Sequence, residues 1–85
     1  MSTEHTPGPW HPRTQRVAIG IYSGSGELIA TVTPGRESKT ADARLIAAAP
    51  LMLHELYAAA AQIEALGGDA RTQRAAIAEA TGEQP

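Results

Sequence analysis

The chain is predicted to fold as a small α+β protein, an N-terminal antiparallel β-hairpin or three-stranded meander followed by two to three helices. Three observations carry that expectation. Two alternating apolar stretches flank a Ser-Gly-Ser-Gly tetrad, apolar residues recur at 4-3-4-3 spacing over residues 52–66, and helix breakers stand at Pro50 and Gly67-Gly68. The 85 residues amount to one small domain, 1–85. Its parts are an extended arm at 1–9, a β element at 10–34, a helical pair at 40–66, a C-terminal helix at 69–81 and a tail at 82–85.

The arm contains Thr6-Pro7-Gly8-Pro9, whose prolines exclude helix and central strand. Trp10 follows at once. A large aromatic behind a stiff arm is read as an anchor pinning the arm over the core, with stacking on a ligand as the competing role. The segment around Trp10 is also the candidate third strand, because a lone hairpin is marginal in water. From Arg16 to Tyr22, alternation puts Val17, Ile19 and Ile21 on one face and Arg16, Ala18, Gly20 and Tyr22 on the other. Ser23-Gly24-Ser25-Gly26 has the residues of a tight hairpin loop. It lacks the lysine of a phosphate-binding loop and opens onto a strand, so a plain turn is expected. Leu28 to Thr33 forms the returning strand, with Leu28, Ala30 and Val32 expected on one face and Ile29, Thr31 and Thr33 on the other. Pro34-Gly35 ends it.

Thr40 is placed as the N-cap of the first helix, with Asp42 complementing the positive end of its dipole. That helix is expected from Ala41 to Ala48, with Leu45 and Ile46 pointing inward. A proline inside a helix loses a hydrogen bond and crowds the preceding turn, whereas the first helical position suits it. Two helices meeting at an Ala49-Pro50 corner are therefore expected, with a kinked continuous helix as the alternative. The second helix, Pro50 to Leu66, carries Met52, Leu56, Ala59, Ile63 and Leu66 in one stripe, widened by Leu53 and Ala60. Gly67-Gly68 stops it. Asp69 is expected to cap a third helix over Ala70 to Ala80, in which Ile77 is the only large apolar residue.

Of 36 apolar residues, 17 are alanines. Burial of a leucine or isoleucine is worth ~1.5–3 kcal/mol and an alanine offers little more than a methyl, so the core is expected to be thin. Self-association is expected to compensate, through Met52, Leu56, Ala59, Ala60 and Ile63.

The same composition narrows the function classes. Cysteine is absent, which removes thiol catalysis and thiolate metal sites. The polar start Met1-Ser-Thr-Glu-His-Thr-Pro7 does not read as a signal peptide. Pro50, His54 and Glu55 interrupt the best apolar run before it reaches the ~18 residues of a membrane span. A cytoplasmic protein without a membrane partner is expected. Residues 1–49 hold five basic against four acidic groups, and residues 50–85 hold two against five. That balance does not suit a nucleic-acid binder. His5, His11 and His54 make no zinc pattern, and no cofactor is expected. Ser23 and Ser25 lack the setting of an activated nucleophile, and Glu55 and Glu64 lie nine residues apart on a helix. The chain is not expected to be an enzyme.

Arg44 is the polar residue that fits least well, between Ala43 and Leu45 in the most apolar part of the chain. Its stem could snorkel over the hairpin and pair with Glu27 or Glu37. Alternatively its guanidinium fork anchors an anion or a partner. The candidate binding residues are accordingly Arg44, Lys39 and Arg36 for charge, and Trp10 and Tyr22 for stacking.

Two motifs together are distinctive: His5-Thr-Pro-Gly-Pro-Trp10 and Asp42-Ala-Arg-Leu-Ile-Ala-Ala-Ala-Pro-Leu51. They resemble a group of short phage and prophage proteins with a Thr-Pro-Gly-Pro-Trp opening, a β-hairpin and an Asn-Ala-Arg-Leu-Ile-Ala-Ala-Ala-Pro-Glu-Leu-Leu helix. This chain departs from that pattern at Asp42 and after Pro50. The resemblance covers residues 5–56 and leaves Gly67–Pro85 outside. It implies a phage accessory role in an infected bacterial host. The readings that follow are an inhibitor binding a host defence protein in the manner of an anti-CRISPR, an oligomeric sponge for a small anionic nucleotide messenger, and a self-associating structural or regulatory component.

Overall fold

The computed structural model describes residues 4–15, 18–33 and 39–83. Strands β1 (Trp10–Thr14), β2 (Ile19–Ser23) and β3 (Leu28–Val32) precede helices α1 (Lys39–Ala65) and α2 (Arg71–Thr81). The strands form one antiparallel sheet in the order β1-β2-β3, which is the three-stranded form of the expected α+β fold. Two compact units are present: Thr6–Leu51, and the described residues of Met1–His5 with Met52–Pro85.

In the first unit, Ile19, Ile21, Val32 and Ala43 are buried together, with Trp10, Ile29, Ala30, Ile46 and Ala47 packed on them. The Ser23–Gly26 tetrad is a turn, as its residues require. The Ser23 amide donates to the Glu27 carbonyl and the Gly26 amide to the Ser23 carbonyl, while Gly26 takes a φ of 89°. The buried Ser23 hydroxyl accepts the Glu27 amide at 3.2 Å and lies 3.1 Å from the Ser25 hydroxyl. Both serines are thereby occupied with turn structure.

The face assignment of β3 needs correction. Ile21 pairs with Ala30 but Tyr22 pairs with Leu28, so Ile29 is an extra residue in β3. A bulge of this kind breaks the period of two. Ile29 joins the core, whereas Leu28, expected on the same face as the buried Val32, is 58% exposed. Val17, Pro34 and Gly35 lie outside the described residues.

The expected corner at Ala49-Pro50 is not formed: α1 runs for 27 residues with Pro50 inside it. Proline costs a helix interior ~3 kcal/mol because it has no amide to donate and its ring crowds the preceding turn. Two features offset that cost. Ten of the 27 residues are alanine, the strongest helix former. Packing also holds the helix on each side of the proline, through Ala43, Ile46 and Ala47 before it and Leu53, Leu56 and Ala60 after it. Because α1 begins at Lys39, Thr40 lies within the helix and does not cap it, while Asp42 keeps its expected place in the first turn.

Continuity also revises the membrane reading. With Pro50 inside the helix, α1 is long and apolar enough to cross a membrane by length and composition, its best 18-residue window having a mean hydropathy of 1.2. Ala43, Ile46, Leu56 and Ala60 contact the two core clusters, while only 6% of that window is buried inside the structure.

In the second unit, α1 ends in a Schellman motif. The Gly68 amide donates to the Ile63 carbonyl at 2.8 Å and the Gly67 amide to the Glu64 carbonyl at 3.0 Å, with Gly67 at a φ of 83°. Asp69 acts one residue earlier than a true N-cap: Ala70 holds that position, and Asp69 Oδ1 accepts the Arg71 amide at 2.9 Å. Ile77 of α2 is buried with Ala60 and Ala70, and Leu53, Leu56 and Ile63 pack around them.

Candidate functional site

The proline-rich arm and the proline in α1 meet. A β-carbon built on Gly8 would lie 2.8 Å from the Pro50 Cβ, so only glycine lets the arm come this close to the helix. The Gly8–Pro9 peptide is cis. One turn further on, the Trp10 indole N–H donates to the Thr6 carbonyl at 3.1 Å, closing the arm on itself. Trp10 is half-buried and packs against the core of the sheet.

Trp10 also faces open space. It lines a cleft of about 300 Å³ with Pro9 and Pro12 on the arm side and Arg44, Ala47, Ala48, Pro50 and Leu51 on the α1 side. Both sequence motifs therefore contribute to one surface feature. Arg44 is exposed there. Of its two expected partners, Glu27 instead accepts a hydrogen bond from Ser25 at 3.2 Å, and Glu37 lies outside the described residues. No carboxylate among the described residues pairs with Arg44.

The remaining candidates lie elsewhere. Tyr22 is on the sheet, its ring filling the space over Gly20, where a β-carbon would meet the ring Cε2 at 2.7 Å. The Arg13 guanidinium stacks on it 4.6 Å from the centroid, and the Gln15 amide donates to its hydroxyl. Arg13 was missed at the sequence level because its place opposite Gly20 depends on the register of β1, which the arm's composition does not reveal. Lys39 is the first residue of α1 and does not line the cleft. Arg36 lies outside the described residues. Of the residues proposed to meet a second copy, Met52 and Ala59 are exposed, Leu56 and Ile63 are half-buried, and Ala60 is fully buried beneath α2.

A larger cleft, about 760 Å³, lies in the second unit and is lined by Glu64, Asp69, Arg71, Arg74, Glu79 and Glu83 among others. Its two guanidiniums are already engaged. Arg74 grips Glu64 through two bonds of 2.7 and 3.1 Å, and Arg71 holds Asp69 at 2.8 Å. The bond from Arg74 lowers the Glu64 pKa, and the bonds from the Arg71 side chain and amide lower that of Asp69. These groups satisfy one another, whereas Arg44 has donors to spare. Among the described residues, no three His, Asp or Glu side chains gather as a metal site would need.

A family model described as Salmonella phage P22 protein Y8K6 matches residues 1–84. The match takes in the closing segment that lies beyond the 5–56 stretch of the two motifs. No curated protein and no solved structure matches the chain.

Proposed function

The chain belongs to the Salmonella phage P22 protein Y8K6 family, and from that premise we propose that it is a non-enzymatic phage accessory protein. In this reading it counteracts bacterial defence by binding a host protein, such as a CRISPR effector, in the cytoplasm of the infected cell. The observation that carries the reading is the convergence of the Thr-Pro-Gly-Pro-Trp arm and the Ala-Arg-Leu-Ile-Ala-Ala-Ala-Pro helix on one cleft, with a guanidinium that no carboxylate among the described residues pairs. The occupation of Ser23 and Ser25 by the hairpin turn also favours binding over acyl-transfer chemistry.

The test is plaque formation by a defence-sensitive phage on hosts that each carry one defence system, with and without the protein. Plating is expected to rise on at least one defended host and to stay unchanged on the undefended host. Equal plating with and without the protein on every host would overturn the reading.

A second reading, an oligomeric sponge for a cyclic-nucleotide messenger, draws on the adjacency of Trp10 and Arg44, an indole face beside a phosphate-binding fork. Thermal-shift measurements against nucleotide messengers test it, since a ligand at 100 times its dissociation constant stabilises by ~2.7 kcal/mol.

A further inference from the structure

We propose that the Arg44 cleft takes a carboxylate-bearing apolar segment of a partner protein: one Glu or Asp side chain flanked by residues such as Leu, Val, Pro or Phe. The inference rests on the reading of this cleft as a binding site, and it names the chemistry of the occupant.

The lining decides between ligand classes. Proline, alanine and leucine side chains offer no hydrogen bonds, and the Trp10 N–H is already donated to the Thr6 carbonyl. Arg44 is thus the sole lining side chain with free donors. A guanidinium beside an apolar wall binds a carboxylate through two parallel bonds, and the wall takes up the apolar neighbours. A nucleotide suits the same surface poorly. Its base edge would be desolvated without partners, a loss that a site built from apolar side chains does not recover. Size points the same way. Sites for small molecules run from roughly 300 to 1,000 Å³, and this cleft, at about 300 Å³, is at the lower limit. That volume suits a few side chains of a longer segment. Leu51, on the rim and 64% exposed, extends the apolar surface such a segment would cover.

The chain has one tryptophan, and it lines the cleft, so its fluorescence reports on occupancy. The probes are blocked pentapeptides with a central Glu flanked by Leu, Val, Pro or Phe, and a matching set with Gln at the centre. Saturable changes in Trp10 emission are expected from members of the Glu set. Binding is expected to weaken by about tenfold or more on changing that Glu to Gln, and by a similar factor in the Arg44→Gln protein. No saturable response to any Glu peptide, an equal response to the Gln set, or undiminished binding by Arg44→Gln would overturn the proposal. Equal affinity for octanoate would overturn the peptide assignment, and tighter binding of adenosine monophosphate would assign the cleft to nucleotides instead. The two readings fail separately. Peptide binding without relief of defence leaves the cleft chemistry standing and removes the anti-defence role, while relief of defence without peptide binding does the reverse.

Discussion

At Gly8 an added β-carbon would sit 2.8 Å from the Pro50 Cβ, well inside the ~3.5–4.0 Å at which carbon atoms rest against each other. Neither atom belongs to a long flexible side chain that could swing aside, so the arm must lift. Gly8→Ala is expected to destabilise the arm by about 1–3 kcal/mol, the usual cost of overpacking. The check is tryptophan emission, which should shift to the red as Trp10 loses its cover, together with a lower Tm. Glu64 supplies a second test at this scale. Its hydrogen bond from Arg74 lowers its pKa from the ordinary 4.5. A carboxylate with a lowered folded pKa adds stability above its ordinary value, and that contribution is lost as pH falls through the folded value. Unfolding free energy from urea titrations at pH 6 and below should therefore fall more steeply with pH in the wild type than in Glu64→Gln, which lacks the titrating group. Both partners are exposed, so the difference should shrink in high salt.

Among the elements, α2 depends on one side chain. Ile77 is its only large buried hydrophobic residue, 6% exposed, and it meets Ala60 and Ala70. Ile77→Ala is expected to cost about 2–4 kcal/mol and to release α2, read as loss of amide protection in residues 71–81 by hydrogen exchange. The role of Ile77 was legible in the sequence because the helix offered no competitor, and the Gly67-Gly68 stop was legible because a Schellman end needs glycine. Two features were not. Ile29 left its expected face through a bulge, which depends on pairing across two strands and leaves no mark in either strand alone. Pro50 reads locally as a helix boundary, and only packing on both sides of it, made by residues distant in sequence, keeps the helix continuous.

For the molecule as a whole, the alanine-rich composition anticipated a thin core, and the structure meets it with two small clusters in which Ile19, Ile21, Val32 and Ile77 are the only large buried hydrophobics among the described residues. The candidate site was half legible. Arg44 and Trp10 were each singled out, but their meeting depends on Gly8 admitting Pro50, a contact between residues 42 positions apart that no local pattern encodes. The central claim, that this cleft is the working surface, is tested most directly by comparing two exposed arginines in the plaque assay on a host whose defence the wild type relieves. Arg44→Glu reverses the charge at the cleft, whereas Arg13→Glu reverses it on the Tyr22 ring. Arg44→Glu is expected to abolish the relief and Arg13→Glu to preserve it, with both variants folded by circular dichroism. Full relief by a folded Arg44→Glu protein would contradict that claim.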